Sequence, residues 1–248
     1  MIALASSSKL DPEALLLRPP TLPAPIESAV LPIDKPKGWT SFDVIRRLRR
    51  LTRIRKIGHA GTLDPMATGV LVCLIGRATK LMNHYLEGGK TYTGTIRLGQ
   101  TTPSYDAETP VDQRMDASSI TDQDLEEKLA SFLGTIIQET PMYSAVKVDG
   151  ERLYKKARRG EQVARPPRMV TIDAFTITGR DGDDVDFEVE CSKGTYIRSL
   201  AHEYGQALGV GAHLVALRRT ANGTLSDSDC WKIDDLAVQI ELMGGGEV

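Results

Sequence analysis

One carboxylate stands where the sequence is most constrained. In Gly58-His59-Ala60-Gly61-Thr62-Leu63-Asp64-Pro65, Asp64 follows a glycine-rich turn and precedes a proline. Proline disfavours helical backbone in the residue before it, so Asp64 is expected in an extended link at a strand mouth, its carboxylate projecting from a fixed frame. Held there it can act as a nucleophile or a general base. The same neighbours also suit an aspartate that only closes a turn. A second cluster bears on the choice. In Cys191-Ser192-Lys193-Gly194-Thr195-Tyr196-Ile197-Arg198, extended geometry predicts Tyr196 and Arg198 on one face. If that face is inward, the guanidinium needs a carboxylate, because an unpaired buried charge is costly. Asp64 is a candidate partner, and an adjacent arginine lowers a carboxylate pKa by about 1–3, which would keep the acid ionised. A solvent-facing Arg198 at a strand end is the other reading. Tyr92 falls on the apolar side of an alternating stretch, as a core residue or as a ring for stacking on a nucleobase. Leu217, before Arg218-Arg219, is likewise a core leucine or the apolar wall of a base pocket.

Several site types lack their minimum parts. The chain has no G-x-x-x-x-G-K-[ST], no G-x-G-x-x-G, no H-E-x-x-H and no G-x-S-x-G. Its four histidines, His59, His84, His202 and His213, show no metal-ligand spacing. Cys73, Cys191 and Cys230 are odd in number and far apart, which signals neither a disulfide framework nor a zinc site and fits a reducing compartment. No apolar run approaches membrane-spanning length, so a cytoplasmic protein is expected.

The elements that must position these residues follow from periodicity. Residues 1–28, with Pro19, Pro20, Pro23 and Pro25, read as a flexible lead-in. A short strand at Val30-Leu31-Pro32-Ile33 leads through Lys35-Pro36-Lys37-Gly38 to a helix start with a capping-box-like Thr40/Asp43 pair. In that helix Val44, Ile45, Leu48 and Leu51 share one arc, and Arg46, Arg47, Arg49, Arg50 and Arg53 lie opposite. Val70 to Ile75 reads as a strand buried on both faces, and Thr91 to Leu98 alternates with period two. Leu125, Leu129, Phe132 and Leu133 mark an amphipathic helix. Met169 to Thr178 and Val185 to Cys191 read as strands joined by a turn, and Arg198 to Leu208 as a helix closed by Gly209. Strands and helices mix without regular βαβ alternation or internal repeats. The expected fold class is α+β, with a mixed, largely antiparallel central sheet flanked by helices.

The formal charge of −2 argues mildly against a nucleic-acid partner, but its distribution matters more. Basic residues gather from Arg46 to Lys56 and from Arg152 to Arg168, and acidic ones from Asp106 to Asp124 and Asp181 to Asp186. Such segregation gives either a basic face that steers a polyanion or two ordinary solvated helix faces.

Taken in order, the stretches Leu31 to Gly38, Gly58 to Gly69, Lys90-Thr91-Tyr92, Arg97-Leu98-Gly99, Pro141 to Lys147, Lys193 to Arg198 and Gly211 to Arg219 resemble the tRNA pseudouridine synthases of the TruB family. The resemblance runs from about Val30 to Leu236. It implies a pseudouridine synthase-like catalytic domain and isomerisation of the T-loop uridine at position 55 of tRNA, after base flipping. By resemblance Asp64 is the catalytic aspartate, Tyr92 the tyrosine that stacks on the target base, and Arg198 the arginine paired with the aspartate. Tyr196 and Leu217 are similar to pocket-lining residues, His59 to the histidine that fills the place of the extruded base, and Lys35 lies in the matching lysine-proline motif. The reaction neither gains nor loses atoms, so no cofactor and no metal are implied. A covalent adduct and a glycal-like intermediate both remain open.

The expected organisation is a flexible segment 1–28, a catalytic domain 29–240 and a flexible tail 241–248, without the PUA domain that family members often carry. The partner is the tRNA T-arm, with no membrane and no obligatory protein partner, and a monomer is expected. Two other readings compete: an RNA-binding chaperone that has lost the reaction, and a metal-free glycosidase, for which the stretch around Asp106 would have to supply the second acid.

Overall fold

Helix caps and strand alternation settle most of the architecture locally. The computed structural model describes residues 10–23, 26–144, 146–148, 150–161 and 163–244. In chain order the elements are β1 (Ala29–Lys35), α1 (Ser41–Thr52), β2 (Ile57–Ala60), β3 (Thr68–Ile75), α2 (Met82–Glu87), β4 (Lys90–Leu98), β5 (Gln100–Thr101) and β6 (Gln113–Arg114). They continue with α3 (Asp122–Leu129), β7 (Gly134–Glu139), β8 (Lys147–Val148), β9 (Glu151–Arg152), α4 (Leu153–Arg158), β10 (Pro167–Asp181) and β11 (Asp184–Cys191). Last come α5 (Ile197–Ala207), β12 (Ala212–Asn222), β13 (Leu225–Ser226), β14 (Trp231–Lys232) and α6 (Ile233–Gly244). The chain divides into two compact units. One joins Met1–Gly88 to Asn222–Val248, and the other is the continuous stretch Gly89–Ala221.

In the first unit β1 runs antiparallel to β3, from Ala29 beside Ile75 to Lys35 beside Gly69. β14 joins β1 in parallel with Ile33 beside Trp231, and β2 pairs β3 with His59 beside Cys73. Val70 to Ile75 are fully buried, as a continuous apolar run requires. Helix α1 opens on the expected box: the Thr40 side chain accepts from the Asp43 N–H and the Asp43 carboxylate accepts from the Thr40 N–H. Val44, Ile45 and Leu48 are buried while Arg46, Arg50 and Arg53 stay exposed, so the helix keeps one packed face and one cationic face.

Both terminal segments carry structure where they are described. Glu13–Leu15 form a 3-10 turn, the Leu17 N–H donates to the Val30 carbonyl, and Trp231 Nε1 donates to the Leu17 carbonyl at 3.0 Å. Residues 10–18 are thus docked on the sheet by backbone bonds that proline counting does not register. At the other end α6 continues to Gly244, because Leu236 and Ala237 are buried and anchor it. Residues 1–9 and 245–248 lie outside the described residues.

In the second unit the sheet order is β12-β4-β11-β10-β7. β4 and β11 are antiparallel, Tyr92 beside Val189, and β11 and β10 form a hairpin with Gly182 at φ 60°. Tyr92, Ile96 and Leu98 are buried and the intervening threonines half-buried, the alternation expected of β4. Gly205 in α5 allows a close approach to β12, since a Cβ there would meet the Ala212 nitrogen at 2.2 Å. Phe132, Phe175, Phe187 and Tyr204 form an aromatic cluster under α3 and α5. Leu133, expected on the apolar face of α3, is 47% exposed. The α-helix ends at Leu129 and a 3-10 turn over Ala130–Phe132 breaks the 3.6-residue period. Among the described residues no helix is long and apolar enough to cross a membrane.

Candidate active site

The residues singled out from the sequence fall in two groups. Lys35, His59 and Asp64 belong to the first unit, and Tyr92, Tyr196, Arg198 and Leu217 to the second.

Asp64 is carried by a loop fixed from both sides. Its carbonyl accepts from the Ala67 N–H at 3.1 Å, so Pro65-Met66 form the centre of a turn with proline at the position it favours. The buried Ser41 hydroxyl accepts from the Leu63 N–H at 2.9 Å and donates to the Leu63 carbonyl at 3.1 Å. The Pro65 carbonyl accepts from the Gly38 N–H at 2.7 Å. Gly61 and Gly69, with φ of 92° and 95°, bend the chain where a side chain would be strained. Leu63, Asp64, Pro65 and Ala67 are therefore held by their backbone, and the acid projects from a rigid link.

Lys35 is fully buried, and its ammonium donates to the carbonyls of Pro36, Trp39 and Pro65 at 3.0, 2.6 and 3.4 Å. Its charge ties the turn after β1 to the loop of Asp64. His59, expected in a loop, lies in strand β2 beside Cys73 and is half-buried.

The expected extended geometry at Tyr196 and Arg198 does not hold. Gly194, at φ 84°, turns the chain after β11, Tyr196 becomes the N-cap residue of α5, and Arg198 sits in the first helical turn. Gln138, fully buried in β7, grips the Tyr196 backbone twice: its amide oxygen accepts from the Tyr196 N–H at 2.7 Å and its amide nitrogen donates to the Tyr196 carbonyl at 3.0 Å. The Arg168 guanidinium lies 4.8 Å from the centre of the Tyr196 ring. Tyr92 on β4 and Leu217 on the neighbouring β12 are each 8% exposed.

Arg198 is 4% exposed and has a carboxylate in its own unit, Asp106, which is 1% exposed and lies 3.5 Å from Nε. Nη1 donates to the Ser104 carbonyl at 3.1 Å and Nη2 to the Tyr143 carbonyl at 2.9 Å. Asp106 in turn accepts from the Ser104 hydroxyl at 2.5 Å and the Glu108 N–H at 2.9 Å. A buried ion pair with its remaining lone pairs satisfied is the arrangement that low dielectric tolerates. Composition groups Asp106 with an acidic stretch, where it is a candidate second acid for a glycosidase. A local signal was there in Ser104-Tyr105-Asp106, a polar pair two residues apart that can close on its own backbone. Gln138 and Arg168 carried no such signal.

The basic segment from Arg152 to Arg168 is also less free than its composition implies. Arg159 pairs with Glu151 and Glu161, and Arg165 with Glu139. No group of three or more His, Cys, Asp or Glu side chains with metal-binding geometry occurs among the described residues.

Comparison with known proteins decides the family. The model of the TruB family pseudouridylate synthase N-terminal domain matches residues 49–197, and that of the tRNA pseudouridylate synthase B C-terminal domain matches residues 198–244. The chain belongs to the TruB family of pseudouridylate synthases. Its reaction is therefore the isomerisation of a uridine to pseudouridine. Relatives within the family include tRNA pseudouridine synthase B of Paenarthrobacter aurescens, 50% identical over 222 residues that cover 87% of this chain and 71% of the relative. The enzyme of the same name from Opitutus terrae is 46% identical over 205 residues, covering 83% and 85%. Among solved structures, a Cbf5-Nop10-Gar1 complex contains a chain with TM-score 0.71 and 29% identity, matched over 98% of this chain and 64% of its own. The archaeal box H/ACA Nop10-Cbf5 complex gives TM-score 0.66 at 29% identity, over 89% of this chain and 56% of that one. This family membership agrees with the expected α+β, pseudouridine synthase-like fold.

Proposed function

We propose that this pseudouridylate synthase acts on the T-loop uridine at position 55 of tRNA, with Asp64 as the carboxylate that drives the exchange. The N1–C1′ glycosidic bond breaks, the uracil turns, and C5 bonds to C1′. The proton lost from C5 is balanced by one gained at N1, so neither cofactor nor metal enters the balance. The observation that carries the reading is the backbone clamp on Asp64, which gives a family member one rigidly presented acid. Arg198, held in its own unit by Asp106, is the guanidinium that serves the reaction. Tyr92 stacks on the extruded uracil, Tyr196 and Leu217 line its pocket, and His59 fills the gap left in the RNA. Lys35 serves by holding the Asp64 loop. Arg47 and Arg50 on α1, with Arg53 at its C-cap, take phosphates of the T-arm and align it. The enzyme works as a cytoplasmic monomer and needs no protein partner.

The test is release of tritium from tRNA transcript labelled at uracil C5. The native protein is expected to release it from position 55, and Asp64→Ala and Arg198→Ala to lose the activity. Undiminished release by Asp64→Ala refutes the role of Asp64. Free uracil as product would return the reading to a glycosidase.

A further inference from the structure

Tyr105 is a non-glycine residue with left-handed backbone, at φ 65°. The only other one among the described residues, Arg53, closes helix α1, whereas Tyr105 caps no helix. A side chain in this region costs free energy, and the conformation persists only where its surroundings enforce it. Both neighbours of Tyr105 are attached to Arg198. The Ser104 carbonyl takes Nη1 at 3.1 Å and the Asp106 carboxylate lies 3.5 Å from Nε. The left-handed residue between them lets a carbonyl and the following carboxylate close on one guanidinium, and it sends the tyrosine ring elsewhere.

That ring lies on His202, with centroids 3.8 Å apart and planes at 12°. His202 follows Arg198 by one turn of α5, so a single helix presents both the guanidinium and the imidazole. His202 Nδ1 is buried without a hydrogen-bond partner among the described residues, and burial lowers the ring's pKa. The ring is held by the Ala212 backbone, and its face carries the tyrosine. The Tyr105 hydroxyl is 3.5 Å from Arg165 Nη1. Both rings border a cavity of about 860 Å³, which leaves the tyrosine room to swing away if the stack is lost. Tyr143, whose carbonyl takes Arg198 Nη2, borders the same cavity.

We infer that Tyr105, clamped on His202, is a positioning residue for Arg198: its stacked ring locks the left-handed turn that keeps Ser104 and Asp106 on the guanidinium. The inference rests on Arg198 acting in the reaction as proposed above.

Tyr105→Gly separates the ring from the turn, since glycine adopts left-handed backbone without strain. Single-turnover tritium release, tRNA affinity and Tm are to be measured for the native protein, Tyr105→Phe, Tyr105→Gly, His202→Ala and the double variant Tyr105→Gly/His202→Ala. We expect Tyr105→Phe to stay within about twofold of native, and Tyr105→Gly and His202→Ala to lose about 10- to 100-fold in rate at nearly native tRNA affinity. The double variant should lose no more than the worse single one, because both act through one stack. A native rate for Tyr105→Gly, a fall in Tm alone, or losses that multiply would overturn the inference. Exchange of the Arg198 Nε–H, followed by NMR in arginine-labelled protein, gives a readout independent of activity. It should speed up at least tenfold in Tyr105→Gly, and unchanged exchange counts against the clamp even if the native protein proves inactive on tRNA. Inactivity of the native protein would count against the proposed substrate instead.

Discussion

Replacing Glu203 by glutamine should make the protein more stable above neutral pH and leave it unchanged in acid. Glu203 lies in α5, half-buried, and burial pushes its pKa from 4.5 up to about 7; the Glu139 N–H it accepts from pulls the other way, and the Glu139 charge adds to the rise. A carboxyl whose folded pKa exceeds its unfolded value favours the folded state while protonated. That advantage is lost as pH rises from about 4.5 through about 7, and the loss is complete above. The gap is worth about 3.4 kcal/mol at 1.36 kcal/mol per pH unit. Solvent screening of a half-exposed group reduces this to about 1–2 kcal/mol. Glutamine keeps an oxygen for the Glu139 N–H and carries no charge. The assay is urea unfolding of both proteins at fixed ionic strength from pH 4.5 to pH 8. His202 and His213, whose pKa values burial lowers, give stability the opposite slope, so only the difference between the two curves isolates Glu203. A flat difference, or a Gln variant less stable at pH 8, refutes the reasoning.

Three further outcomes test other parts of the structure. Replacing Arg47 and Arg50 by alanine should flatten the dependence of log affinity for tRNA on log salt by about two, one for each phosphate contact removed; filter binding between 50 and 300 mM salt would show whether α1 touches the RNA. Ser41→Ala leaves the Leu63 N–H buried without its 2.9 Å partner, costing about 1–3 kcal/mol, and loosens the loop of Asp64. Its turnover rate should fall about tenfold with KM for tRNA little changed, and an unchanged rate would mean that the loop is held by its other bonds. Gly94→Ala would put a Cβ 2.5 Å from the Ala216 carbonyl and 2.8 Å from the Phe187 ring, destabilising by about 1–3 kcal/mol; an unaltered Tm would show that β4 and β11 can part cheaply.

Local physics made much of the first unit readable. The Thr40/Asp43 box, the arc of Val44, Ile45 and Leu48, and the run from Val70 to Ile75 each depend on neighbours within a few residues, and each lies where its pattern puts it. Other features depend on distant partners. The Leu17 carbonyl that receives Trp231 Nε1 makes a docked segment out of a proline-rich one. Gln138 looks like any polar residue until the Tyr196 backbone meets it. Asp106 looks solvated until Arg198, far along the chain, comes to 3.5 Å from it. Tyr196 and Arg198 were placed together by an extended pattern that a left-handed Gly194 had already ended. Single residues of the candidate site were thus legible by type and spacing, and the bonds that orient them were not.

The unit that holds Asp64 is built from two stretches of the chain, with Leu17 and its partner Trp231 separated by 214 positions. A ribosome delivers the continuous segment 89–221 before β14 exists, so that segment can close while β1 still lacks its parallel neighbour. Closing a loop of this length is slow, and it comes last. The bonds that hold the loop of Asp64 lie within residues 35–67 and can form early, whereas β1 gains its parallel neighbour only once Trp231 has been made. A nascent chain stopped short of Trp231 exposes an open edge on β1, ready for a chaperone or a protease, and yields no finished enzyme.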